Sequence, residues 1–146
     1  MADDGVLTPE QAARIRASFE SQTMMTTLGA RMTGIAHGEV RIEAPILPGS
    51  RQQRGFAHAG LSFSIGDSAA GYAAVSVVPE GHDVLTSEMK IHLLAPAKGD
   101  LLVATGRVIR AGRRLVIVQA DVHALEDGRT SHVAFMTGTM IPIAAS

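Results

Sequence analysis

The chain has no cysteine, which removes disulfides and thiolate chemistry from its repertoire. It has almost no net charge, a formal −1 at pH 7, so its electrostatics ask for neither nucleic acid nor an anionic membrane as partner. No apolar run approaches the roughly 18 residues of a membrane span. The start, Met1-Ala2-Asp3-Asp4-Gly5, is acidic and lacks the basic-then-apolar pattern of a signal peptide. The six histidines show no metal-ligand spacing such as i, i+4 on a helix, and no thiolate is there to join them. Neither a Gly-rich phosphate loop after a strand nor a Gly-x-Ser-x-Gly elbow occurs. The expectation is a soluble, cytoplasmic protein with neither metal nor cofactor.

What is present is an ordinary globular balance, 46% apolar and 18% charged, over 146 residues. That length suits a single domain, 1–146, with 1–27 as an N-terminal helical extension. Its organising stretch runs from Gln52 to Ala74. Between Arg54 and Glu80 the only carboxylate is Asp67, set among Phe63, Ile65, Ala69, Ala70 and Ala73. An unpartnered buried carboxylate costs several kcal/mol or more, so its presence there asks for a reason. If 59–78 is a helix, Gly60, Ser64, Asp67, Gly71 and Ala74 share a face by the i, i+3, i+4 rule. That face has little bulk around the acid, so a backbone or a ligand can come close.

Thr8-Pro9-Glu10-Gln11 reads as an N-cap, a first-turn proline and a capping-box Gln, opening a helix to about Met25. A short strand over 28–33, broken by Gly34, and a half-buried strand over 38–45 follow. The segment 47–57 is a loop, and 59–78 is an alanine-rich helix buried on most sides. Four strands come next, over 84–95, 101–110, 115–125 and 130–141, the last two joined by the hairpin signal Asp127-Gly128. Read as a consecutive antiparallel meander, they make an α+β fold, a sheet wrapped round one long helix.

The run Gly55-Phe56-Ala57-His58-Ala59-Gly60, followed by Asp67-Ser68-Ala69-Ala70-Gly71-Tyr72, resembles the signature of hotdog-fold acyl-CoA thioesterases, in the phenylacetate-pathway (PaaI-type) branch. Leu94-Ala95-Pro96-Ala97-Lys98-Gly99-Asp100, Gly112-Arg113-Arg114-Leu115 and the terminal Val133 to Thr139 also fit its pattern. The resemblance spans roughly 35–143. It implies an acyl-CoA substrate, Asp67 as general base or nucleophile, and the backbone N–H of Ala59 as donor to the thioester oxygen. Gln52 matches a helix-preceding carboxamide that is usually Asn, one methylene shorter. Thr86 matches a hydroxyl that holds the water, reaching the site across a dimer interface. His58 is the motif histidine, Gly60 follows the donor, and Arg113, Arg114 and Lys98 are the candidates for CoA phosphates. The family also implies a homodimer or a dimer of dimers.

Each residue has a plainer reading. Asp67 could cap a restarted helix through the N–H groups of Ala69 or Ala70. His58 could open the helix and bond loop backbone. Gln52 could be loop packing, Thr86 a neutral strand residue, and Arg113 and Arg114 solvated turn cations. Function likewise stays open between a hydrolase and a non-catalytic acyl-CoA-binding or regulatory protein on the same fold. A hydratase would need His58 and Asp67 together, yet a helix separates them by about 13 Å.

Overall fold

The computed structural model describes residues 5–146; the acidic start at 1–4 lies outside the described residues. Helix α1, Pro9–Glu20, opens as its sequence dictates: Thr8 Oγ1 accepts from Gln11 N–H at 3.1 Å, and Gln11 Oε1 accepts from Thr8 N–H at 2.8 Å. It stops at Glu20, short of the expected Met25. The Ser21 hydroxyl donates to the Ser18 carbonyl at 2.7 Å, a local bond that competes with the helical ladder. Gln22 is extended and caps a second helix, α2, Thr23–Leu28, which Gly29 ends in the left-handed conformation.

Strand β1 is Arg31–Ala36, later than expected, and Gly34 lies inside it. The glycine marks a register shift against β2, Glu39–Pro45, so it kinks the strand without ending it. Val40, Ile42 and Ala44 of β2 are fully buried, as their alternation requires. Helix α3, Ala59–Val75, runs unbroken. It is followed by β3 (His82–Leu93), β4 (Leu101–Ala111), β5 (Val116–Glu126) and β6 (Arg129–Ala144). Asp127 and Gly128 both take positive φ, 50° and 75°, the hairpin turn their identities call for.

All strand pairs are antiparallel, in the order β1-β2-β4-β5-β6-β3. This corrects the consecutive meander: only β4, β5 and β6 follow one another, and β3 lies beyond β6 at the sheet edge. The near edge of β4 is occupied by β2, whose Val40 faces Gly106 in the ladder. Local turn signals reveal where strands end and say nothing of which strand takes which neighbour.

Helix α3 crosses the inner face of this sheet. Its three internal glycines cost about 1 kcal/mol each against alanine. Burial of Leu61 and Ile65, about 2 kcal/mol apiece, more than offsets that. A Cβ at Gly106 of β4 would collide with the Ala69 carbonyl group and the Ala70 nitrogen, so its absence lets helix and strand backbones touch. Ile42, Leu102, Met136 and Met140 fill the core between them. No helix among the described residues is long and apolar enough to cross a membrane.

Candidate active site

Asp67 lies midway along α3, half-buried, and makes no bond to the N–H of Ala69 or Ala70, so it is not a helix cap. Its Oδ1 accepts from the Thr86 hydroxyl at 2.8 Å. Burial pushes the Asp67 carboxyl above the ordinary carboxylate range, and the Thr86 bond pulls it only partly back. Beside it opens a cavity of about 300 Å³. A carboxylate with one oxygen held and a cavity at hand is what proton abstraction from water requires.

Thr86 reaches Asp67 within its own chain, not from a second copy as the resemblance implied. The cause is a bulge. Strand β3 shifts register against β6 between Thr86 and Glu88, so the simple alternation over 84–95 fails. Thr86, paired with the buried Met140 and 3.3 Å from its Sδ, turns toward the helix, while Leu85 is 59% exposed.

A second cluster forms at the start of α3. His58 is the N-cap: its Nδ1 accepts from Gly60 N–H at 2.8 Å, and its carbonyl accepts from Leu61 N–H at 2.9 Å. Its plainer reading is therefore the observed one, with Nδ1 engaged as an acceptor. The Ala59 N–H has no partner among the described residues and stands at the positive end of the helix dipole. Gln52, His58 and Ala59 all line a second cavity of about 620 Å³, with Leu94 and Pro96 opposite. Gln52 is partly committed to its own loop: its N–H donates to the Phe56 carbonyl at 2.9 Å and its Oε1 accepts from Arg54 N–H.

The expected catalytic set is thus divided. Asp67 and Thr86 share one cavity; Gln52, His58 and Ala59 share the other. Along the helix Ala59 and Asp67 are about 12 Å apart. No single carbonyl can contact both within one chain.

The basic candidates also separate. Lys98 Nζ sits 5.4 Å from the centre of the Phe56 ring, in a shallow cavity adjoining the Gln52 loop. Arg113 and Arg114 are exposed in the β4–β5 turn and line neither the Asp67 cavity, the Ala59 cavity nor the Lys98 one. Sequence reading passed over Arg54, which lines both the Gln52 cavity and the Lys98 one and whose side chain has no described partner. Its place in the loop before a helix start was the available signal. It also passed over Gln22 and Tyr72, whose side chains meet at 2.9 Å beside Asp67. Helical spacing places Gln22 on the side of Ala12, Ile15 and the buried Phe19, and it keeps that side just past the end of α1.

Comparison with known proteins bears on the family and the fold. Residues 54–131 match the family model of the thioesterase superfamily. A thioesterase family protein from Silicibacter pomeroyi is 38% identical, covers 92% of this chain and 99% of its own, and superposes with a TM-score of 0.90. The PaaI protein of the phenylacetic acid degradation operon in E. coli, 22% identical, covers 94% and 96% at a TM-score of 0.81. A Bacillus halodurans protein solved with CoA, 24% identical, covers 92% and 84% at 0.71. The last two show a shared fold. The chain belongs to the thioesterase superfamily, and its sheet wrapped round α3 is the hotdog fold.

Proposed function

We propose that this chain hydrolyses acyl-CoA thioesters to a free acid and CoA, at sites completed between two copies. The observation that carries the reading is the Asp67 carboxylate: desolvated, held at one oxygen by Thr86, and open to a cavity. Asp67 takes a proton from water as the water oxygen bonds to the acyl carbon. The carbonyl oxygen becomes an oxyanion, stabilised by the Ala59 N–H of a second copy. The C–S bond then breaks and the sulfur leaves with CoA, regaining a proton. Direct attack by Asp67, through a mixed anhydride that water later opens, uses the same geometry.

The need for a second copy follows from the separation of the two clusters and from the sheet edge. Among the described residues strand β3 is unpaired on its outer side, and it carries Leu85 and Leu93, both more than half exposed. A two-fold pairing of β3 with its counterpart covers that edge and yields two identical sites. A homodimer is the minimum unit. Gly60, next to the donor, lets the His58 ring close on the helix start, where a Cβ would lie 2.9 Å from His58 Nδ1, and Gln52 orients the thioester. Arg54 and Lys98, beside that cluster, are the phosphate partners in preference to Arg113 and Arg114.

The test uses a donor deletion that spares the helix. Proline is tolerated at the first helical position, and His58 already has the extended backbone (φ −62°, ψ 142°) that a following proline demands. Ala59→Pro removes one N–H and should lower kcat by about 10²-fold or more. Mixed with Asp67→Asn during refolding, it should regain thiol release, because one site in a mixed dimer keeps both groups. Two inactive parents whose mixture stays inactive reject the shared site. Saturable acyl-CoA binding by the wild type without thiol release favours a binding protein instead.

A further inference from the structure

Two fully buried methionines of β6, Met136 and Met140, pack against α3. The sulfur of Met136 is placed by packing alone: it fills the notch at Gly66, where a Cβ would collide with it. Met140 is placed differently. Its Cε lies toward Gly71, where a Cβ would stand an ordinary 3.9 Å away, and its Sδ is 3.3 Å from the Thr86 hydroxyl. The same hydroxyl is 2.8 Å from Asp67 Oδ1. A hydroxyl has one hydrogen to give, so Thr86 faces two acceptors and bonds fully to one at a time.

The two acceptors are unequal. An ionised carboxylate holds a donor strongly, and a thioether sulfur is a weak acceptor. The contest therefore turns on the charge of Asp67. Two other titratable groups share its cavity, Asp83 of β3 and Tyr72 of α3. From α1 and the turn after it come only the neutral Ser18, Ser21 and Gln22, and no lysine, arginine or histidine among the described residues lines the space. Burial favours the neutral acid and the Thr86 bond favours the ionised one, so whatever draws the hydroxyl away from Asp67 acts in the same sense as burial.

We propose that Met140 is a positioning residue, its Sδ being the second acceptor that lets the Thr86 hydroxyl release Asp67 once that carboxyl has taken a proton from water. The inference rests on the hydrolase reading, in which Asp67 is the base. While Asp67 is ionised, the Thr86 hydrogen stays on Oδ1. When water has given its proton to Asp67, the charge holding that hydrogen is gone. The Thr86 O–H turns about its C–O bond to Sδ, and the freed Thr86 oxygen accepts the hydrogen now carried by the carboxyl. No proton changes owner in the turn. Both charge states of the acid thus find a bonded partner in one side chain, and Met140, being buried, leaves no place for a water to substitute.

The experiment follows two titrations in the wild type, Met140→Leu and Met140→Ile, each with and without Thr86→Val. One is the acidic limb of kcat/KM for thiol release from acyl-CoA. The other is the carbon NMR shift of the Asp67 carboxyl in aspartate-labelled protein, assigned by its loss in Asp67→Asn, which needs no substrate. Leucine conserves volume and isoleucine suits a strand, so the pair guards against one variant failing to fold, checked by thermal melting. Loss of the sulfur should move both titrations to lower pH by about half a pH unit, the worth of a weak hydrogen bond and opposite in sign to Thr86→Val. In the Thr86→Val background the same change should move neither. Unmoved titrations in a folded Met140 variant, or equal shifts with and without the Thr86 hydroxyl, overturn the proposal and leave the hydrolase standing. A wild type that releases no thiol overturns the hydrolase reading and the positioning role with it, even where the carbon titration still answers to the sulfur.

Discussion

Gly66 and Gly71 stand on one helix, yet small size serves opposite ends at the two positions. On the Gly66 side α3 is sealed: Ala69, Ala70 and Ala73 are fully buried, and Gly106 brings the strand backbone against the helix. On the Gly71 side the helix is open, with Asp67 half-buried beside a cavity and a polar wall supplied by α1 and the turn after it. The first face shows small residues used for closeness, where dispersion and backbone contact stabilise the fold. The second shows them used for access, at the cost of burying an acid. The difference teaches that a run of alanine and glycine is not one signal but two, told apart only by what stands opposite.

That contrast can be broken from its closed side first. Gly106→Ala forces a methyl group onto the Ala69 carbonyl group, and backbone cannot swing away as a side chain would. A loss of about 1–3 kcal/mol is expected, read as a lower denaturant midpoint at unchanged slope. An unaltered midpoint would mean that the helix does not rest on β4 as described.

On the open side the sharper probe is Thr86→Val. The Thr86 bond is what pulls the Asp67 carboxyl down, and burial pushes it up. Removing the hydroxyl leaves burial unopposed, so the carboxyl rises further. A base must be ionised to act, so the acidic limb of the kcat/KM profile should move to higher pH, and loss of a hydrogen bond to the charged carboxylate should lower the plateau by about tenfold. An acidic limb that stays put would detach Thr86 from the acid's titration.

The smallest expected effect concerns the helix start. His58→Ala removes the N-cap acceptor and should cost about 1 kcal/mol, whereas His58→Asn keeps a good cap and should restore the melting temperature. Turnover should follow stability in both. A stable His58→Asn protein without activity would make the imidazole a reacting group and not a cap.

Much of this was legible in the residues, for identifiable reasons. The capping box at Thr8, the buried row Val40, Ile42 and Ala44, and the Asp127-Gly128 turn are local signals, and each formed where expected. The fold and the family followed from spaced motifs around Asp67. What escaped was non-local. The pairing of β3 with β6 depends on which edges are free. The aim of Thr86 depends on a bulge with no glycine or proline to announce it. The meeting of Gln22 with Tyr72 joins side chains 50 residues apart in the chain. The division of the site between two cavities was foreshadowed by helical rise alone, since residues eight apart on α3 cannot converge.

The most direct measurement is thiol release from acyl-CoA substrates by wild type and Asp67→Asn, with thermal melts of both. Because burial holds the carboxyl above its ordinary range, the ionised side chain penalises the fold. The penalty is present above the folded pKa and relieved as pH falls below the unfolded value of about 3.9. At neutral pH, asparagine should therefore melt at the wild-type temperature or higher while releasing no thiol above background. An Asp67→Asn protein that folds and hydrolyses at the wild-type rate would contradict the account.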